Sequence, residues 1–113
     1  EFDMLVLDSD HAYDTIITEL MLFEPKLRAG GCILMHDSLF FDGVGAAVAQ
    51  LARNPRFEVV TLDSPRAPNP GCVRSPGVTV VRKKTADGPA IEFEEKWRGV
   101  NVGDDREVPL LRR

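Results

Sequence analysis

Five polar residues stand directly after two apolar runs, and their types could do chemistry. Asp8, Asp10 and His11 follow the run Phe2–Leu7, and His36 and Asp37 follow Cys32–Met35. Carboxylates at the ends of two neighbouring strands can hold a hard cation such as Mg²⁺ and leave room for water and a substrate oxygen. A cation there lowers the pKa of a hydroxyl and orients it. A neutral imidazole at His11, three residues past Asp8, can take the proton of that hydroxyl. His36, beside Asp37, can be a third ligand, although imidazole suits Mn²⁺, Fe²⁺ or Zn²⁺ better than Mg²⁺. Each residue also has a plainer reading. Asp8 and Asp37 can cap the helices that follow them. His11 can face solvent at a helix start, and His36 can be a packed neighbour. Spacing alone leaves both readings open.

The elements that must position these residues are legible. Phe2-Asp3-Met4-Leu5-Val6-Leu7 is nearly continuous and apolar, the pattern of a strand buried on both faces of a parallel sheet. Ile16, Leu20, Phe23 and Leu27 recur at helical spacing, which predicts a helix from Ala12 to about Leu27. Pro25 should tighten its last turn, and Gly30-Gly31 should supply its left-handed cap. Cys32–Met35 reads as a second buried strand. Asp42-Gly43 opens a second helix, about Val44 to Arg53, ended by Asn54-Pro55. Phe57–Leu62 and Gly77–Arg82 read as third and fourth strands. Between them Ser64–Pro76 holds four prolines and must be a loop. Lys83-Lys84 reads as a solvated edge.

This strand-helix-strand-helix-strand order implies an α/β fold. The expected architecture is a mostly parallel sheet with flanking helices and a final antiparallel strand. Ligands in such sheets bind beyond the carboxyl ends of the strands, where Asp8, Asp10, His11, His36 and Asp37 all fall. Residues 1–84 form the expected core, and 85–113 form a charged tail or short appendage anchored by Ile91, Phe93 and Trp97. Gly43-Val44-Gly45 is too short a pattern for a phosphate loop.

Composition narrows the function classes. The chain has 113 residues, 14 Lys and Arg against 18 Asp and Glu, and a net charge of −4. That is one domain, with no basic excess for nucleic acid or a membrane surface. No apolar run reaches the roughly 20 residues that span a bilayer. The start, Glu1-Phe2-Asp3, reads as no signal peptide, and two cysteines suit a reducing compartment, so the expected location is cytoplasmic.

The run from Phe2 to Tyr13, with Glu19-Leu20, Pro25-Lys26-Leu27, Gly30-Gly31 and His36-Asp37 in order, resembles the second half of a class I S-adenosylmethionine-dependent methyltransferase. It looks most like the small-molecule O-methyltransferases of the cephalosporin-hydroxylase-like and macrolide-sugar branch. The resemblance covers about residues 1–84. It implies a Rossmann-like half-domain, with Asp8 and Asp37 ending the family's fourth and fifth strands. It also implies metal ligation by Asp8, His36 and Asp37, with His11 as the catalytic base. Position 36 is commonly acidic in the metal-dependent branch, so His36 is a departure. The glycine-rich cofactor loop of the family's first strand has no counterpart here.

The resemblance therefore implies a fragment, inactive alone, that transfers methyl groups to a small-molecule or sugar hydroxyl within a larger protein. Its S-adenosylmethionine site would lie largely outside these residues. The strand 2–7 edge would be covered by a missing N-terminal half or by a homo-oligomer. Two other readings are carried forward. Asp8-x-Asp10, Lys83 and Gly103-Asp104-Asp105 resemble a haloacid-dehalogenase-like phosphatase with Asp8 as nucleophile. An exposed edge strand would also suit a non-catalytic interaction module.

Overall fold

The structure, a computed structural model, describes residues 1–8, 10–63 and 77–101. The loop expected over Ser64–Pro76, with Cys72, and the acidic Gly103-Asp104-Asp105 lie outside the described residues. The elements are β1 (Phe2–Leu7), α1 (Tyr13–Phe23), β2 (Leu27–His36), α2 (Asp42–Ala52), β3 (Phe57–Leu62) and β4 (Val78–Lys83). They form an α/β fold on one four-stranded open sheet of order β1-β2-β4-β3.

The sheet is mixed. β1 and β2 pair in parallel, but β4 is antiparallel to both β2 and β3. The expected final antiparallel strand is present, while the expected mostly parallel sheet is not. The reason lies in where β4 goes. It fills the gap between β2 and β3, so one reversed strand turns two of the three ladders antiparallel.

Period-two alternation sorts the strand residues onto two faces. One face carries the cross-strand rows Leu5–Ile33–Val81–Val59 and Leu7–Met35–Thr79–Thr61. The helices pack on it. Tyr13, Ile16, Ile17 and Leu20 of α1 and Val44, Ala47 and Leu51 of α2 are buried with Ile33, Met35 and Val81 in one core. The other face carries the row Val6–Leu34–Val80–Val60. There Met4, Val6, Val60 and Leu62 are all more than half exposed. The sequence pattern of β1 suggested burial on both faces. Among the described residues only the helix side is covered.

Two local expectations are corrected. Helix α1 stops at Phe23 rather than near Leu27. Pro25 lacks an N–H and cannot continue an α-helix, so the chain tightens into a 3₁₀ turn over Glu24–Lys26. Leu27 is then the first, buried residue of β2. Gly30-Gly31 is not a helix cap but lies inside β2 at a register shift, where Phe2 pairs with Leu27 and Met4 with Cys32. Gly30 has φ of 89°, and a Cβ on Gly31 would lie 2.8 Å from the Asp3 carbonyl oxygen. The pair permits a bulge and a close backbone approach.

The segment after β4 contributes to the core. Ile91 is buried in it, and Phe93, Trp97 and Val100 pack against it. The Tyr13 hydroxyl donates to Gln50 Oε1 at 2.5 Å, and Gln50 Nε2 donates to the Glu92 carbonyl at 2.5 Å. The Glu94 N–H donates back to the Tyr13 hydroxyl at 3.0 Å. This chain of bonds ties residues 92–94 across both helices.

Lys83, expected with Lys84 at a solvated edge, is buried. Its ammonium lies 2.8 Å from Glu24 Oε2 and donates to the carbonyls of Glu24 and Leu27. Arg56 grips the same carboxylate with two bonds of 2.8 Å. Glu24 is 3% exposed, so this triad pins the 3₁₀ turn to the ends of β3 and β4 at the sheet end opposite Asp8.

Candidate functional site

β1 and β2 are adjacent and parallel, so the residues that leave their carboxyl ends emerge side by side. Four of the five predicted residues meet there. Asp37 is at the centre. Its Oδ2 lies 3.1 Å from His11 Nε2, and its Oδ1 lies 3.1 Å from His36 Nδ1. His36 Nδ1 is also 3.5 Å from Asp8 Oδ1. One ligand-type atom from each of Asp8, His36 and Asp37 falls within a 4.8 Å group.

The backbone holds Asp37 in an unusual position. Its φ is 60°, a left-handed value that an aspartate tolerates better than most residues. Its N–H donates to the Gly77 carbonyl at 3.0 Å, and its own carbonyl accepts from the N–H groups of Phe40 and Phe41. The carboxylate is thereby aimed at the two histidines and not at the start of α2. The capping alternative for Asp37 does not describe this geometry, because the N-cap of α2 is Phe41 and has no side-chain cap bond.

Asp10 is not part of the group. Its carboxylate accepts from the N–H groups of His11 and Ala12 and from the Thr15 hydroxyl. It shapes the turn into α1, whose N-cap Ala12 offers no side chain for that purpose. Those hydrogen bonds, chiefly that from Thr15, hold the Asp10 carboxyl below its usual value.

His11 is confined on two sides. Asp37 fixes Nε2, and the Phe41 ring stacks on the imidazole with centroids 3.7 Å apart and planes 8° apart. Sequence reading missed Phe41. The signal was an aromatic pair, Phe40-Phe41, in the loop just after the second strand end.

The donor set can be tested against a divalent cation. Two carboxylates and one imidazole, all solvent-accessible and converging, fit a borderline ion such as Mn²⁺, Fe²⁺ or Zn²⁺ and fit the all-oxygen preference of Mg²⁺ less well. Among the described residues, those that suggested a phosphatase are not assembled. Asp10 is committed to its turn, and Lys83 is held by Glu24 at the opposite end of the sheet.

Comparison with known proteins gives one finding. Residues 1–38 match the sequence model of a methyltransferase domain. The match spans β1, α1, β2 and all of Asp8, His11, His36 and Asp37, about a third of the 113 residues. It supports a class I methyltransferase-like domain and methyl transfer in general, with S-adenosylmethionine as the donor such domains use. No curated protein and no solved structure gives a significant match. No helix among the described residues is long and apolar enough to cross a membrane.

Proposed function

We propose that this chain is the acceptor-side part of an S-adenosylmethionine-dependent O-methyltransferase acting in the cytoplasm on a hydroxyl of a small molecule or sugar, as in the cephalosporin-hydroxylase-like and macrolide-sugar branch. The observation that carries the reading is the convergence of His11, His36, Asp8 and Asp37 on one rim inside the span that matches a methyltransferase domain.

Methyl transfer from a sulfonium is a displacement, so the protein mainly orients the acceptor and removes its proton. His11 is built for the second task. An ionised Asp37 can only accept, so His11 Nε2 donates to it and Nδ1 is the atom that takes the proton. Asp37 then faces an imidazolium and stabilises it. Asp8, His36 and Asp37 would hold a divalent cation, which would supply Lewis acidity to the acceptor oxygen. S-adenosylmethionine would be held by residues beyond those described. The exposed apolar side of β1, at Met4 and Val6, is where that cofactor-binding part or a second copy would join the sheet.

Titration of Mn²⁺, followed by its electron paramagnetic resonance signal, tests the cation reading. The chain should bind one ion, and Asp37→Ala should weaken binding by about tenfold or more, the loss of roughly 1.4 kcal/mol. Equal affinities would remove the site. Calorimetry with S-adenosylmethionine tests the division of labour. The 113 residues alone should show no micromolar binding, and micromolar binding would overturn it.

A further inference from the structure

The N-terminal turns of α1 and α2 meet directly over the candidate base, and the contact is backbone on backbone. A Cβ on Gly43 would overlap the His11 carbonyl oxygen and would lie 2.6 Å from the Tyr13 nitrogen and 2.7 Å from the Val100 carbonyl oxygen. Three chain segments therefore cross at a point that only glycine leaves open. The Tyr13 N–H donates to that Val100 carbonyl at 2.8 Å, and the Gly99 N–H donates to Asp14 Oδ1 at 2.8 Å. Residues 99–100 thus clasp the start of α1 against the start of α2. Two residues before Gly43, the Phe41 ring lies flat on the His11 imidazole. Tyr13 and Val44, on either side of this crossing, are buried in the core, and Phe41 is partly buried against it with its ring on His11.

We propose that Phe41 and Gly43 are positioning residues for His11. Gly43 registers the His11 backbone on the loop that carries Asp37, and Phe41 fixes the plane of the imidazole, so that Nε2 meets Asp37 and Nδ1 stays free. The 99–100 clasp holds the two helix starts together while this is done. Gly43 is thus a packing glycine, which accounts for a Gly-x-Gly at 43–45 with no extended glycine pattern around it. The inference rests on the reading of His11 as the base, but its test does not depend on methyl transfer.

The chain has two histidines, so each can be the other's control. Carbethoxylation by diethyl pyrocarbonate, mapped by mass spectrometry, gives the ratio of His11 to His36 modification rates. Phe41→Leu should raise that ratio by roughly threefold or more, the size of losing one stacked ring pair. Phe41→Tyr keeps a ring and should leave it at the wild-type value. Gly43→Ala should raise it further. General loosening of the fold would speed both histidines and leave the ratio unchanged. An unchanged ratio in Phe41→Leu, or an equal rise in Phe41→Tyr, overturns the proposal. If Gly43→Ala does not fold, by circular dichroism, the Phe41 pair decides. Failure of the Mn²⁺ titration would instead count against the cation reading, so the two outcomes are separable.

Discussion

At the scale of single residues, the site depends on two aspartates with different work. Asp37 links both histidines, while Asp10 satisfies the turn that delivers His11. Asp10→Ala should therefore cost about 0.5–2 kcal/mol, the usual range for losing a helix-start acceptor. Thermal unfolding measures that cost. The same change should loosen His11, because Asp10 accepts from the His11 N–H itself. Asp10→Asn keeps an acceptor oxygen and should recover most of the stability. Recovery of none would mean that charge, not hydrogen bonding, is what the turn requires.

At the scale of elements, the triad of Glu24, Arg56 and Lys83 joins the end of α1 to β3 and β4. Burial alone would raise the Glu24 carboxyl above its usual value of 4.5, but the hydrogen bonds from Arg56 and Lys83 outweigh it and hold it lower. The same carboxylate raises the Arg56 guanidinium. A carboxyl depressed in the folded state binds fewer protons there than when unfolded. Its contribution is thus complete above about pH 4.5, the unfolded value, and fades as pH falls through the lower folded value. Denaturant melts from pH 6 to 3 should show this loss in the wild type. Glu24→Gln should flatten that part of the profile and cost about 3–5 kcal/mol at neutral pH, because two buried cations lose their partner. A near-neutral effect would show that the triad is open to water.

At the scale of the whole molecule, one sheet face carries an apolar row, uncovered among the described residues, from Val6 through Leu34 and Val80 to Val60, beside the exposed Arg82–Glu58 ion pair. It is continuous across four strands and ends at the free edge of β1. Such a surface favours association. Sedimentation velocity should find the isolated chain self-associating as concentration rises. Val6→Lys places a charge on both the face and the edge and should return it towards monomer. A monomer at all concentrations would remove the edge as a joining surface.

Much of the local structure was written in the sequence, because period and punctuation act over a few residues. The bounds of β3 follow from its apolar run and flanking breakers, and α2 from its spacing of three and four. Asp8, His11, His36 and Asp37 were legible as rim residues because the carboxyl ends of adjacent parallel strands, here β1 and β2, face one way. What needed tertiary structure was everything set by non-neighbours. The place of β4 between β2 and β3 made the sheet mixed. Gly30-Gly31 became a bulge because β1 runs beside it. Lys83 turned inward because the buried Glu24, 59 residues earlier, is paired by Lys83 together with Arg56. Phe41 came to lie on His11 because two helix starts cross at Gly43. Short-range preferences chose the elements and their polar ends. Only the packing of distant segments decided which of those ends touch.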